Sequence, residues 1–198
     1  MTYLDTPADA QARDDVARMY DEDRAKVGYV QNLTRLFALR PDVLDAWVGL
    51  SKTIRRGMDL RRYELVTLAA AKQLRSSYCS LAHGEVLRDR FYDAKAVQKI
   101  ATDHHHADLD PVDVAVMDFA GKTARDAASI TADDVDTLRQ HGLSDDEIFQ
   151  VILAAAARCF FSTVIDAAGA EPDFQYRASI EPELLQVLTV GRPVSDEA

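Results

Sequence analysis

Apolar residues in this chain recur at helical spacing, and no β-branched alternation persists long enough to make a strand. Val43, Leu44, Trp47, Leu50 and Ile54 follow one another at such steps behind Pro41, a residue suited to the first position of a helix. Gly57 ends that run. A second helix is predicted from near Asp59 through Glu64, Leu65, Leu68 and Ala71 to about Leu74. Ser76 or Ser77 then caps a helix that carries Cys79, His83 and Leu87. Asp110 with Pro111 opens another, holding Val112, Val116, Phe119 and Ala120. Thr131 with Asp134 and Ser144 with Glu147 have the form of capping boxes, and Gly142, behind His141, stops the helix between them. The alanine-rich helix from Asp145 runs to about Ala168, where Gly169 and Pro172 end it. The expectation is all-α: a compact multi-helix bundle in one domain. Residues 1–32 form a peripheral N-terminal helix, 33–175 the core, and 176–198 a C-terminal tail with a short helix over Pro182–Leu188.

The 198 residues carry a formal net charge of −10 and no basic stripe, which argues against nucleic acid and against an anionic membrane surface. Acidity here serves solubility. Cys79 and Cys159 are the only cysteines, too few for a disulfide-stapled secreted domain. The polar, acidic opening MTYLDTPADAQARDD is no signal or transit peptide, and the longest apolar run, VILAAAA, stops at Arg158. These features predict free thiols in a reducing cytoplasm, away from membranes.

The chemistry concentrates between Glu64 and His83, in the stretch ELVTLAAAKQLRSSYCSLAH. Cys79 and His83 are four apart, hence on one helical face a turn apart. A thiol in the first turn of a helix meets unpaired backbone N–H groups and the positive end of the dipole, which lower its pKa from about 8.5. His83 is placed to take the thiol proton, and Glu64, on the preceding helix, to fix the imidazole tautomer. Nucleophile, base and orienting group are thereby supplied. Tyr78 reads as a packing residue. Cys159, in the alanine-rich helix with Ile152, Ala155 and Ala156 on its face, reads as a buried core thiol. His104, His105 and His106 are consecutive, so on a helix they diverge and cannot form one metal site together; His104 with Asp108, or Asp103 with His106, has helical spacing for a shared ion, but a polar turn between helices is the expectation. No Gly-rich phosphate loop, dinucleotide fingerprint or zinc knuckle occurs, and no cofactor or metal is predicted.

Glu64, the step of twelve residues to Ser76, and Ser76-x-x-Cys79-x-x-x-His83 resemble the core motif of the alkyl hydroperoxidase D family, within the carboxymuconolactone decarboxylase-like superfamily. The family pattern is a glutamate followed by Cys-x-x-Cys-x-x-x-His. PDVLDAWVGLSK ahead of the motif, and DVDTLRQHGLSDDEIFQVILAAAARCFF and DAAGAEPD behind it, are similar to the peroxidase-related subgroup, so the resemblance covers roughly residues 33–175. It implies an all-helical fold with the site on a helical hairpin, assembly as a homo-oligomer, and reduction of hydroperoxides by a cysteine pair. On that resemblance Glu64, Cys79 and His83 are catalytic, and Ser76 stands where the first cysteine belongs. Serine cannot close the disulfide that resolves a sulfenic acid, so an outside thiol, or Cys159, must act as resolver, and the external thiol is the expectation because nothing in the sequence places Cys159 near Cys79. A second reading is acid–base chemistry of the decarboxylase type on a small organic acid or lactone, with Glu64 and His83 moving protons and Ser76 donating a hydrogen bond. A third is a helical scaffold without catalysis.

Overall fold

The computed structural model describes residues 2–197, and every regular element among them is helical. The α-helices are α1 (Asp14–Val27), α2 (Asn32–Phe37), α3 (Pro41–Arg56), α4 (Leu60–Gln73), α5 (Ser77–Arg90), α6 (Ala94–Thr102), α7 (Pro111–Asp126), α8 (Ala132–Gln140), α9 (Asp145–Ala167), α10 (Tyr176–Ser179) and α11 (Pro182–Leu188). Short 3-10 turns occupy Asp9–Gln11, His104–His106 and Ala127–Ser129.

α4 is the axis of the bundle. Every residue from Tyr63 to Ala71 is buried, the condition of a helix apolar on all sides. Its alanines let α5, α7 and α9 pack directly around it. α4 opens as its sequence directs, with the Asp59 carboxylate accepting from the Arg62 backbone N–H at 3.0 Å. Both capping boxes form, Thr131 with Asp134 and Ser144 with Glu147. Gly142 turns the chain between α8 and α9 with φ +89°.

Several expectations change. α6, absent from the periodicity reading, begins where Asp93 accepts from Ala96 N at 2.8 Å and buries Val97, Ile100 and Ala101. Ser76 occupies the N-cap of α5, yet its side chain makes no capping bond. The terminal helices are built into the chain's own core, burying Met19 and Tyr20 at one end and Leu184 and Leu188 at the other. α9, contrary to the expectation that no run is long enough, has the length and apolarity of a membrane span. Half of that span is buried in the bundle, packed on α3, α4 and α7.

Two contacts fix the frame. Asp113, fully buried in the first turn of α7, accepts from Arg61 at 2.6 Å and Arg62 at 3.1 Å, clamping α7 to α4. The C-terminal strand of coil crosses the start of α5: Gly191 N donates to Ser77 Oγ at 2.8 Å, and a Cβ on Gly191 would lie 1.9 Å from the Arg75 carbonyl oxygen. Breaking a buried pair strands the partner charges and costs about 3 kcal/mol or more. Asp113→Ala is therefore expected to lower urea-unfolding stability by about 3 kcal/mol, whereas replacing the exposed, paired Asp42 changes it by less than about 1 kcal/mol. Gly191→Ala is expected to destabilise by at least the ~1–3 kcal/mol of an overpacked site, because backbone rather than a flexible side chain must give way.

Candidate functional site

The site lies where α4, α5, α9 and α3 meet. Glu64 projects from the buried axis, Cys79 and His83 from the first and second turns of α5. Ser76 as the N-cap sets Cys79 in the first turn, as the sequence reading required. The Glu64 carboxylate lies 2.5 Å from His83 Nδ1. On the far side of the ring, Arg158 Nη1 is 3.0 Å from His83 Nε2. A guanidinium only donates, so Nε2 accepts and Nδ1 carries the hydrogen that Glu64 receives. Tautomer and ring orientation are fixed from both sides.

Arg158 also reaches the sulfur, with Nη1 3.9 Å from Cys79 Sγ. The direct Cys79–His83 hydrogen bond expected from their spacing is absent among the described residues; one guanidinium nitrogen contacts both groups instead. The guanidinium rests on a wall of aromatic rings, 4.9 Å from the Trp47 centroid and 5.5 Å from that of Phe161. Those two rings stack at 4.7 Å, and Phe37 stacks on Phe161 at 5.5 Å. Arg158 Nε has no partner among the described residues. Glu64, Cys79 and Arg158 are 3%, 2% and 5% exposed, so this charge cluster sits out of bulk water.

Burial pushes the His83 pKa below its ordinary value; the Arg158 and Arg55 charges push the same way, and Glu64 opposes them. His83 is accordingly a neutral base at physiological pH.

Arg158 is the site residue that sequence reasoning missed. Its signal was present: a lone arginine inside ILAAAARCFF, where an unpaired charge would be expensive. In the sequence alone it marks the end of an apolar run. Ser76 is fully buried but makes no hydrogen bond to Cys79, His83 or Glu64. The buried Asp166 carboxyl is pushed up by desolvation, partly offset by the Ser76 hydroxyl and Arg192, yet neither Ser76 Oγ nor Asp166 Oδ2 has a partner of regular hydrogen-bond geometry. Cys159 is half-buried rather than a core thiol, with Sγ 3.6 Å from the Ala155 carbonyl and its pKa raised by burial. Ala156 on the same face is exposed, which explains the difference. Tyr78 is more than packing: its hydroxyl donates to the buried Asp173, which also accepts from Asn32 N at 2.7 Å. An apolar groove of about 430 Å³ runs along α3 and α9, lined by Trp47, Leu50, Ile54, Ala157 and Phe160 among others.

No family model matches the chain, and no curated protein does either. Solved structures do. An uncharacterized peroxidase-related protein with an alkylhydroperoxidase AhpD core from Ralstonia eutropha JMP134 superposes with TM-score 0.77 at 23% identity, over 96% of this chain and 98% of that one. A peroxidase-related protein from Silicibacter sp. TM1040 gives 0.78 at 24% identity, over 88% and 93%. A debrominase in complex with 2,3,4-tribromopyrrole gives 0.73 at 15% identity, over 89% and 95%. At these identities the shared property is the architecture: the chain has the alkyl hydroperoxidase D-like fold.

Proposed function

We propose that this protein is a peroxidase-related oxidoreductase of the alkyl hydroperoxidase D-like superfamily, reducing hydroperoxides through Cys79. The observation that carries the reading is the line Glu64–His83–Arg158–Cys79, in which one buried guanidinium contacts both the candidate base and the candidate nucleophile. The peroxidase-related neighbours support the class; the debrominase neighbour shows that the same architecture serves other chemistry.

In this reading the sulfur, as thiolate, attacks one peroxide oxygen. An S–O bond forms and the O–O bond breaks; sulfur loses two electrons and the peroxide gains them. The thiol proton passes to His83 Nε2 and from there to the departing alkoxide, which leaves as an alcohol. Arg158 Nη1 lies against both Sγ and Nε2, so it gives way to the incoming peroxide and then donates to the oxygen on which charge develops. Glu64 stabilises the imidazolium that forms. Ser76 offers no thiol, so an external thiol condenses with the sulfenic acid, releasing water, and a second thiol frees Cys79. The half-buried Cys159, whose sulfur bonds to its own helix at the Ala155 carbonyl, is not the resolver in this scheme. The groove beside Trp47 suits the apolar part of an organic hydroperoxide. Free thiols at both cysteines fit a reducing cytoplasm. Exposed Val48, Phe149 and Phe160 on α3 and α9 support assembly with further copies of the chain, which light scattering would reveal as a mass above 22.0 kDa.

Substoichiometric peroxide followed by a sulfenic-acid trap and mass spectrometry is expected to label Cys79 ahead of Cys159. An inert Cys79 would sink the proposal. His83→Ala is expected to slow the labelling by about 10²–10⁴. The pH profile gives a second check. A base is lost when it protonates, and the depressed pKa of His83 places that loss below the ordinary value of about 6.5. Arg158→Gln removes one positive charge from beside the ring, so the acid limb of the labelling rate should move to higher pH while the rate at neutral pH falls by about 10²-fold. An acid limb unmoved by that substitution would remove Arg158 from the scheme.

A further inference from the structure

We propose that His104, His105 and Asp118 form a binding site for a divalent transition-metal ion. The site uses the turn before α7 and α7 itself, and none of Glu64, Cys79, His83 or Arg158.

The consecutive histidines do not diverge as a helix would make them. They lie in a 3-10 turn, His104–His106, which Asp103 shapes by accepting from His105 N at 3.0 Å and pairing with His106 Nδ1 at 2.7 Å. That bond draws His106 aside. The other two rings stay together, centroids 4.5 Å apart and tilted by 30°, and both point at one oxygen of α7. His104 Nε2 lies 2.9 Å and His105 Nε2 3.0 Å from Asp118 Oδ1. One potential ligand atom from each residue falls within 4.8 Å of the other two.

The two nitrogen–oxygen spacings are close to those of a coordination shell. Metal–nitrogen bonds of about 2.0–2.1 Å and carboxylate bonds of about 2.0–2.2 Å put ligand atoms about 3.3–3.4 Å apart along a tetrahedral edge. The Nε2 atoms need to retreat only a few tenths of an ångström from Oδ1 to admit an ion between them. Charge favours it as well. Among the described residues no lysine or arginine pairs with Asp118, and Lys122, one turn along α7, is held by Asp134 at 2.6 Å. Two imidazoles and a carboxylate select zinc, cobalt, nickel or copper over magnesium or calcium, which prefer all-oxygen shells. Three protein ligands leave at least one position for water or an external group, and His105 and Asp118 also line a hollow of about 620 Å³ with His141.

The test uses the full chain freed of any affinity tag and titrated with Co²⁺, followed by visible absorption, and with Zn²⁺, followed by calorimetry. The expected result is one ion per chain, d–d bands without a thiolate charge-transfer band, and at least tenfold weaker binding in both His105→Ala and Asp118→Asn. His106→Ala should bind as the parent does, and circular dichroism should show each variant as helical as the parent. The absence of saturable binding would overturn the proposal. So would binding that survives both substitutions unchanged, or binding lost only in Cys79→Ser.

Discussion

A guanidinium buried in an alanine-rich helix must be compensated or the bundle cannot close around it, and the way Arg158 is compensated organises this protein. Its charge is met by the π-faces of Trp47 and Phe161, by the lone pair of His83 Nε2 and by the sulfur of Cys79. Glu64 balances it from the other side of the imidazole. The Arg–His–Glu line thus pairs one cation with one anion through a neutral ring, inside a low-dielectric core where either charge alone would be costly. The aromatic stack of α2, α3 and α9 and the hairpin of α4 and α5 are joined at this line.

The same arrangement divides labour between the ring's two nitrogens. The carboxylate holds Nδ1–H, leaving Nε2 as the only basic atom, and Nε2 is on the side of the sulfur. Burial and two positive charges keep that atom unprotonated where a surface histidine would be half charged. Basicity is given up for neutrality: Nε2 stays unprotonated, and its lone pair is taken by the Arg158 N–H.

Most of the fold was legible because its signals are local. Pro41, Asp59, the capping boxes at Thr131 and Ser144, and Gly142 each act within one helical turn, and each end falls where they put it. Glu64, Cys79 and His83 were legible too, through spacing and resemblance. What failed was long-range. Arg158 stands out locally as a lone charge in an apolar run, but its partner emerges only when α9 is laid against α5, seventy-five residues earlier. The pairing of His104 and His105 depends on a 3-10 turn rather than an α-helical one, and on Asp118 fourteen residues away. Ser76 takes the cap position but not the capping bond, since backbone geometry and side-chain bonding separate when the hydroxyl is sealed beside Asp166.

The crossing of the C-terminal coil over α5 ties the first turn of the thiol-bearing helix to a remote part of the chain. Val190 and Gly191 are bonded to Arg75 and Ser77, and Ser195 to Pro172, so residues more than a hundred positions downstream brace the start of the helix bearing Cys79. A change in this coil is therefore felt first at the turn that presents the sulfur, far from it in sequence and with no residue of the site altered.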